Sequence, residues 1–301
     1  FLLSGQDGDP VNQGDEETTQ FNYYYGLSLD TTFTGDDNLN VVIEAGNSTV
    51  GADVATVMDF GSATADALTV VDLNYTRSFG DLTVQVGDSL DISSQFTGAC
   101  PYAGFHDTLA SCGTGKSAGV EGDVTFTGSY DIGNGFTLGA GISASEGAST
   151  KGIFTKESSD LYGFQLAYAA DAYGAAVSYA NSDTTTTDTT YWGVNGYYTL
   201  GSTIDSISVG YETGNPSGTG ADTSNWFAGI TTSEVGPGVI NLGVGTVGHT
   251  TEAQDELLLY EVSYGWDIND ATSATFGVFQ EERATGNDDL TGLALTTTFS
   301  F

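Results

Sequence analysis

The sequence predicts an all-β chain, a transmembrane antiparallel β-barrel of about sixteen strands. Three observations predict it. Apolar and polar residues alternate with period two over many short segments. The connections between these segments alternate between short turns and long loops. No run of 18 or more apolar residues exists to form a spanning helix, so a membrane crossing has to be made by a closed barrel, which leaves no backbone group unpaired in lipid.

Composition agrees. The chain has 42 Gly, 16 Tyr and 16 Phe but 4 Pro, a mixture that favours strands and tight turns. Five basic against 40 acidic side chains leave a net charge of −35. Nucleic acid is excluded as a partner, because phosphate contacts need Lys and Arg. The charge fits high-salt solubility, a hydrated secreted surface, or a water-filled lumen that prefers cations. The single Met is Met58 and no signal peptide is visible at Phe1, so a mature or trimmed product is expected.

In chain order, Phe1–Gly5 reads as the end of a first strand, and fifteen more follow at 18–34, 39–47, 67–79, 82–90, 119–130, 136–145, 160–170, 174–181, 191–200, 204–213, 225–235, 239–248, 256–266, 272–281 and 289–301. Most match the ~9–11 residues that a tilted strand needs to cross the hydrocarbon core. In 21–34, Phe21, Tyr23, Tyr25, Leu27, Leu29 and Phe33 share one face, and Asn22, Ser28, Asp30 and Thr34 the other. In 258–266, Leu258, Tyr260, Val262, Tyr264 and Trp266 oppose Glu261.

The short connections are 35–38, 80–81, 131–135, 171–173, 201–203, 236–238 and 267–271; the long ones are 6–17, 48–66, 91–118, 146–159, 182–190, 214–224, 249–255 and 282–288. Seven short and eight long connections are what sixteen antiparallel strands require, with both termini on the short-turn side. An outer-membrane barrel has this asymmetry, with short periplasmic turns and long outer loops. Aromatic residues near strand ends, Phe79, Tyr130, Phe136, Tyr179, Tyr198, Trp226 and Trp266, suit a membrane–water interface. The chain reads as one domain, 1–301. The rival reading is an acidic secreted β-sandwich, a binding or surface-layer module.

Cys100 and Cys112 lie twelve apart in the longest loop. They are too few for a closed zinc site, so a disulfide is expected ahead of free thiols. Mid-strand charges Glu44, Asp72, Glu121, Asp123, Glu212 and Glu261 fall opposite the apolar face, with Gln85, Gln165, Asn195 and Asn241 as neutral companions. In a barrel these residues face the lumen and make it wet and negative. Arg77 falls on the apolar face, close enough to the turn at 80–81 to reach headgroups. His249 stands isolated in a loop. There is no GxSxG, phosphate loop or HExxH, so no enzyme, cofactor or metal is expected.

The terminal alternation TTTFSF, with Phe299 and Phe301 on one face, resembles the assembly signal of bacterial outer-membrane proteins. LSGQ (3–6), YGLSLDTTFTGDDNL (25–39), LYGFQLAYAADAYGAAVSYAN (161–181), YWGVNGYYTLGSTIDSISVGYETG (191–214) and NWFAGI (225–230) resemble the cyanobacterial outer-membrane porins. These are the SLH-domain porins related to the carbohydrate porin OprB group, also called iron-uptake porins. The resemblance covers most of the barrel. It implies a bacterial outer-membrane channel, usually a homotrimer in lipid, that passes inorganic ions and small hydrophilic solutes by diffusion. It also implies an upstream SLH domain, outside this sequence, as the only tie to cell-wall polysaccharide. In general porins the third loop folds into the barrel, which makes 91–118 the expected constriction. Asp91, His106, Asp107 and Lys116 would line it, above a lumen bearing Glu44, Asp72, Glu121, Asp123 and Glu261.

Overall fold

The structure, a computed structural model, describes residues 1–8, 17–48, 54–58, 60, 64–119, 121–145, 150–153, 155, 157–184, 187–284 and 286–301. Its strands are β1 (Leu2–Asp7), β2 (Thr18–Asn22), β3 (Tyr24–Thr31), β4 (Asp37–Gly46), β5 (Thr69–Phe79), β6 (Leu82–Asp91), β7 (Glu121–Gly133), β8 (Phe136–Ala144) and β9 (Asp160–Ala169). There follow β10 (Tyr173–Asp183), β11 (Asp188–Thr199), β12 (Ile204–Pro216), β13 (Thr223–Thr232), β14 (Gly238–Thr246), β15 (Thr250–Thr251), β16 (Leu258–Asn269), β17 (Thr272–Glu281) and β18 (Leu290–Phe299). All join one 18-stranded sheet. β1 pairs with both β2 and β18, antiparallel in each case, so the sheet returns to its start. Closure is how a sheet avoids long unpaired edges in lipid; at the join β2 pairs with β1 and β3 with β4.

The count is eighteen rather than the expected sixteen because two spans are interrupted. β2 and β3 part at Tyr23, whose N–H donates to the side chain of Asn47 (2.8 Å) instead of the ladder. β14 and β15 both pair with β13 and part at 247–249. The Val247 N–H there donates to Leu257 O (2.9 Å). Among the described residues two four-residue helices, α1 (Val54–Val57) and α2 (Asp107–Ala110), lie in the long loops, where no helix was expected. No helix among the described residues is long and apolar enough to cross a membrane.

Burial along the strands inverts the order of a soluble protein. On β9 and β10, Phe164, Leu166 and Val177 are about half exposed, whereas Gln165 and Ser178 are 5% and 2% exposed. Register places like beside like, Leu166 opposite Val177 and Gln165 opposite Ser178. Gln165 then donates to the Ser178 hydroxyl (3.2 Å). An apolar exterior over a polar interior is the pattern a lipid solvent demands. It overturns the sandwich, whose apolar residues would be the buried ones.

Aromatic pairs mark both rims of the apolar band. Phe136–Tyr168, Tyr168–Tyr173 and Tyr264–Trp266 lie at the short-turn end, and Tyr162–Tyr179 and Tyr179–Trp192 toward the loops. From Tyr162 to Tyr168 β9 advances ~20 Å at a strand's rise. That span is close to the ~25 Å apolar band of such barrels. Arg77 keeps its charge over the Phe79 ring (5.1 Å), on the outward face near the turn. The turn itself uses Gly80 at φ 63°, a conformation that strains any residue with a Cβ.

Inside the barrel lies an apolar cluster built from both wall and loops. Leu2, Phe227, Leu259, Phe279, Leu290 and Ala294 come from strands, and Tyr102, Phe105, Leu109 and Cys112 from the 91–118 loop. Val54 of α1 is buried in the same cluster, with Met58 and Phe60 packed on it. The Val54 N–H donates to the β1 side chain of Gln6 (3.2 Å). Loop 48–66 thus sends its helix into the barrel as well.

Candidate functional site

The 91–118 loop leaves the end of β6, runs along the inner wall and returns to β7. Its route follows inward-facing positions that carry no side chain. Gly163 on β9, Gly193 on β11, Gly229 on β13, Gly243 on β14 and Gly277 on β17 each face a side chain of the loop. At Gly141 an added Cβ would stand 2.2 Å from the Ile92 carbonyl oxygen, and at Gly210 1.8 Å from that of Cys112. Both contacts are impossible, so the wall is glycine where the loop backbone touches it. Tyr102 fills its place against Phe227 (centroids 4.9 Å apart). The expected disulfide joins Cys100 and Cys112 across the bend, Cα to Cα 6.4 Å.

Two wall carboxylates hold the loop. Glu261 on β16 accepts the Tyr102 hydroxyl (2.6 Å) and the Phe105 N–H (3.0 Å) on Oε1, and the His106 N–H (2.6 Å) on Oε2. Glu212 on β12 accepts the Lys116 N–H (3.1 and 3.2 Å, to its two oxygens) and the Ser117 N–H (2.5 Å). Glu261 is 3% exposed and Glu212 wholly buried. A carboxylate receiving several amide hydrogens is a strong, directional anchor in such a setting. Burial first, and then the charge and hydrogen bond of Glu261, push the Tyr102 phenol far above its ordinary range, so it stays a donor.

The chain's two histidines join these anchors. His249 is not isolated. Its Nε2 lies 2.7 Å from Glu212 Oε1, and its Nδ1 3.0 Å from the Thr223 hydroxyl. His106 caps α2 by accepting the Thr108 N–H on Nδ1 (3.2 Å). Its Nε2 is 3.6 Å from Glu281 on β17, which Arg283 also engages at 2.8 Å.

The residues expected to line the pore divide into three places. Asp91, Asp107 and Lys116 come together with His249, Tyr191 and Asn225 around a cavity of about 810 Å³ between loop and wall. His106 and Glu261 are buried where the loop meets the wall, with Glu261 turned inward and covered by the loop. Glu44, Asp72 and Asp123 lie apart from these, on the wall formed by β4, β5 and β7. Glu44 accepts the Tyr24 hydroxyl (2.6 Å) and Asp72 the Asn74 amide (3.0 Å). Glu121 opens β7, but its side chain lies outside the described residues.

A run of polar side chains crosses the inner face of β3 to β6. Asn38 and Asn40 donate to Asp30 (2.8 and 3.0 Å), Asn74 to Asn40 (3.3 Å), and Gln85 to Asn74 (2.9 Å). Ser94 and Gln95 of the loop complete the run by donating to Gln85 (2.7 and 2.9 Å). Among the described residues no basic side chain lies on this inner face, since Arg77 of β5 points outward.

Sequence reasoning missed Glu281 as a loop contact, and Arg283 and His249 as partners of Glu281 and Glu212. The signal that could have found the docking track was glycine recurring at inward positions of successive strands.

Comparison with known proteins agrees with this architecture. The family described as Gram-negative porin matches residues 76–287, well over half of the chain. No curated protein matches the sequence. Among solved structures the chain is similar to OprB of Pseudomonas putida at 11% identity and TM-score 0.70, over 99% of this chain and 92% of that one. It is similar to an anion-selective porin from Comamonas acidovorans at 16% identity and TM-score 0.67, over 100% and 96%. It is also similar to a loop-deletion mutant of the outer-membrane protein OmpT of Vibrio cholerae at 13% identity and TM-score 0.66, over 99% and 97%.

Proposed function

Because the chain belongs to the Gram-negative porin family, and so is an outer-membrane channel rather than an enzyme, we propose that it passes inorganic ions and small hydrophilic solutes by diffusion and favours cations. One observation carries the preference. The open inner wall across β3 to β6 presents Asp30, Glu44, Asp72 and amides, without a basic side chain among the described residues. A pore lined this way lowers the energy of a passing cation and raises that of an anion. The Comamonas acidovorans porin of similar fold is described as anion-selective, so the fold does not dictate the sign and the lining must.

In this reading loop 91–118 is the constriction, and Asp91, Asp107 and Lys116 border its approach. Reversal potentials across planar bilayers in a KCl gradient test the selectivity. A potential of the sign set by K⁺ is expected, and one set by Cl⁻ refutes the preference.

The finer resemblance to cyanobacterial SLH-domain porins, with a homotrimer and with small sugars among the solutes, is part of the proposal on sequence likeness alone. Cross-linking in detergent and liposome swelling with monosaccharides test those two points.

A further inference from the structure

We propose that His249 is a positioning residue for the pore: it aims the Glu212 carboxylate at the constriction loop and makes the bore responsive to protons. The inference rests on the reading of 91–118 as the constriction. Glu212 is wholly buried, and the partners recorded for its two oxygens are the Lys116 and Ser117 amides and the His249 ring. The Lys116 amide and His249 Nε2 share Oε1. A change at the imidazole therefore reaches the loop backbone through a single oxygen.

The ring is seated for either protonation state. When neutral, it donates Nε2–H to Glu212 and accepts at Nδ1 from the Thr223 hydroxyl. When charged, it donates at both nitrogens, and the Thr223 oxygen accepts while its own hydrogen points to Gly214 O (3.4 Å). A hydroxyl serves both states because it donates and accepts. The side chain keeps 17% of its surface exposed, on the cavity between loop and wall, so protons reach it from water.

The charged and titratable groups around it are Glu212 from β12, Tyr191 from β11 (ring centroids 5.6 Å), and, lining the same cavity, Lys116 and Asp107 from the loop and Asp91 from the end of β6. Protonation adds a positive charge to this cavity, which repels a passing K⁺. K⁺ conductance should therefore fall in a one-proton step on acidification.

The test is single-channel recording in KCl over a series of pH values on the whole chain, with heat-modifiable gel migration confirming a folded barrel. His249→Gln keeps a donor to Glu212 but cannot titrate. It is expected to match the wild type on the alkaline side and to lose the step. His249→Ala lacks the donor and is expected to show a larger, noisier conductance at every pH. The proposal is overturned if His249→Gln keeps the full step, or if His249→Ala equals the wild type in conductance and noise. Ala103→Trp, on an exposed position of the loop, separates the two readings. If it lowers conductance while His249→Ala does nothing, only the role of His249 falls. If it leaves conductance unchanged, the constriction reading falls and the role of His249 with it.

Discussion

Replacing Glu261 with alanine removes an acceptor that three loop donors share, the Tyr102 hydroxyl and the Phe105 and His106 amides. All three bonds are buried. Hydrogen bonds to a charged partner contribute about 1.5–3 kcal/mol each, and a buried donor left without an acceptor costs about 1–3 kcal/mol. The three bonds share one carboxylate and are not additive, so a loss of ~4 kcal/mol in docking is a reasonable centre.

The barrel does not share that loss, because its ladder hydrogen bonds are untouched. The loop instead detaches locally, a sub-global opening. Hydrogen exchange at the Phe105 and His106 amides should accelerate by roughly 10²–10³-fold, a factor of ten for each ~1.4 kcal/mol. Single-channel conductance should rise and become noisy. Glu261→Gln, which keeps one acceptor oxygen, should fall between. Unchanged exchange at both amides in Glu261→Ala, with the barrel folded, would refute the claim that this carboxylate holds the loop.

Four further outcomes are expected. Reducing Cys100–Cys112 opens a closed loop of about the size for which chain entropy predicts ~3 kcal/mol; channel noise should increase while heat-modifiable migration of the barrel stays the same. Gly210→Val places a side chain where the Cys112 carbonyl lies, 1.8 Å from the Cβ; the loop should be displaced and conductance raised, whereas Gly248→Ala, with open space around it, should behave as wild type. Phe164→Arg puts a charge on the outward apolar face and should cost about 2–4 kcal/mol in folding into lipid vesicles, read as the urea midpoint. Ser28→Arg, on the inner wall beside Asn40, should fold like the wild type and move the reversal potential toward Cl⁻.

The strands were legible because their signal is local. Residues 160–170 alternate in sequence, and β9 occupies Asp160–Ala169 with Phe164 and Leu166 outward. The interruption at Tyr23 was not legible, because it depends on an Asn47 side chain 24 residues away competing with the ladder. The inner charges were only half legible. Alternation places Glu212 and Glu261 on the inner face, but it cannot tell a carboxylate that meets water from one that meets a backbone amide.

The sequence by itself determined the barrel, its lipid-facing side and the end that carries the long loops. Those follow from period-two patterning and turn length, which neighbours along the chain set. Where the longest loop goes was decided only by tertiary structure. Its anchors lie 95 residues away for Ser117 and 159 for Tyr102, and its track is made of glycines scattered over seven strands. Such contacts exist only after the sheet has closed and brought those strands around one lumen. Closure also gave the two histidines their partners, Glu212 for His249 and Glu281 for His106.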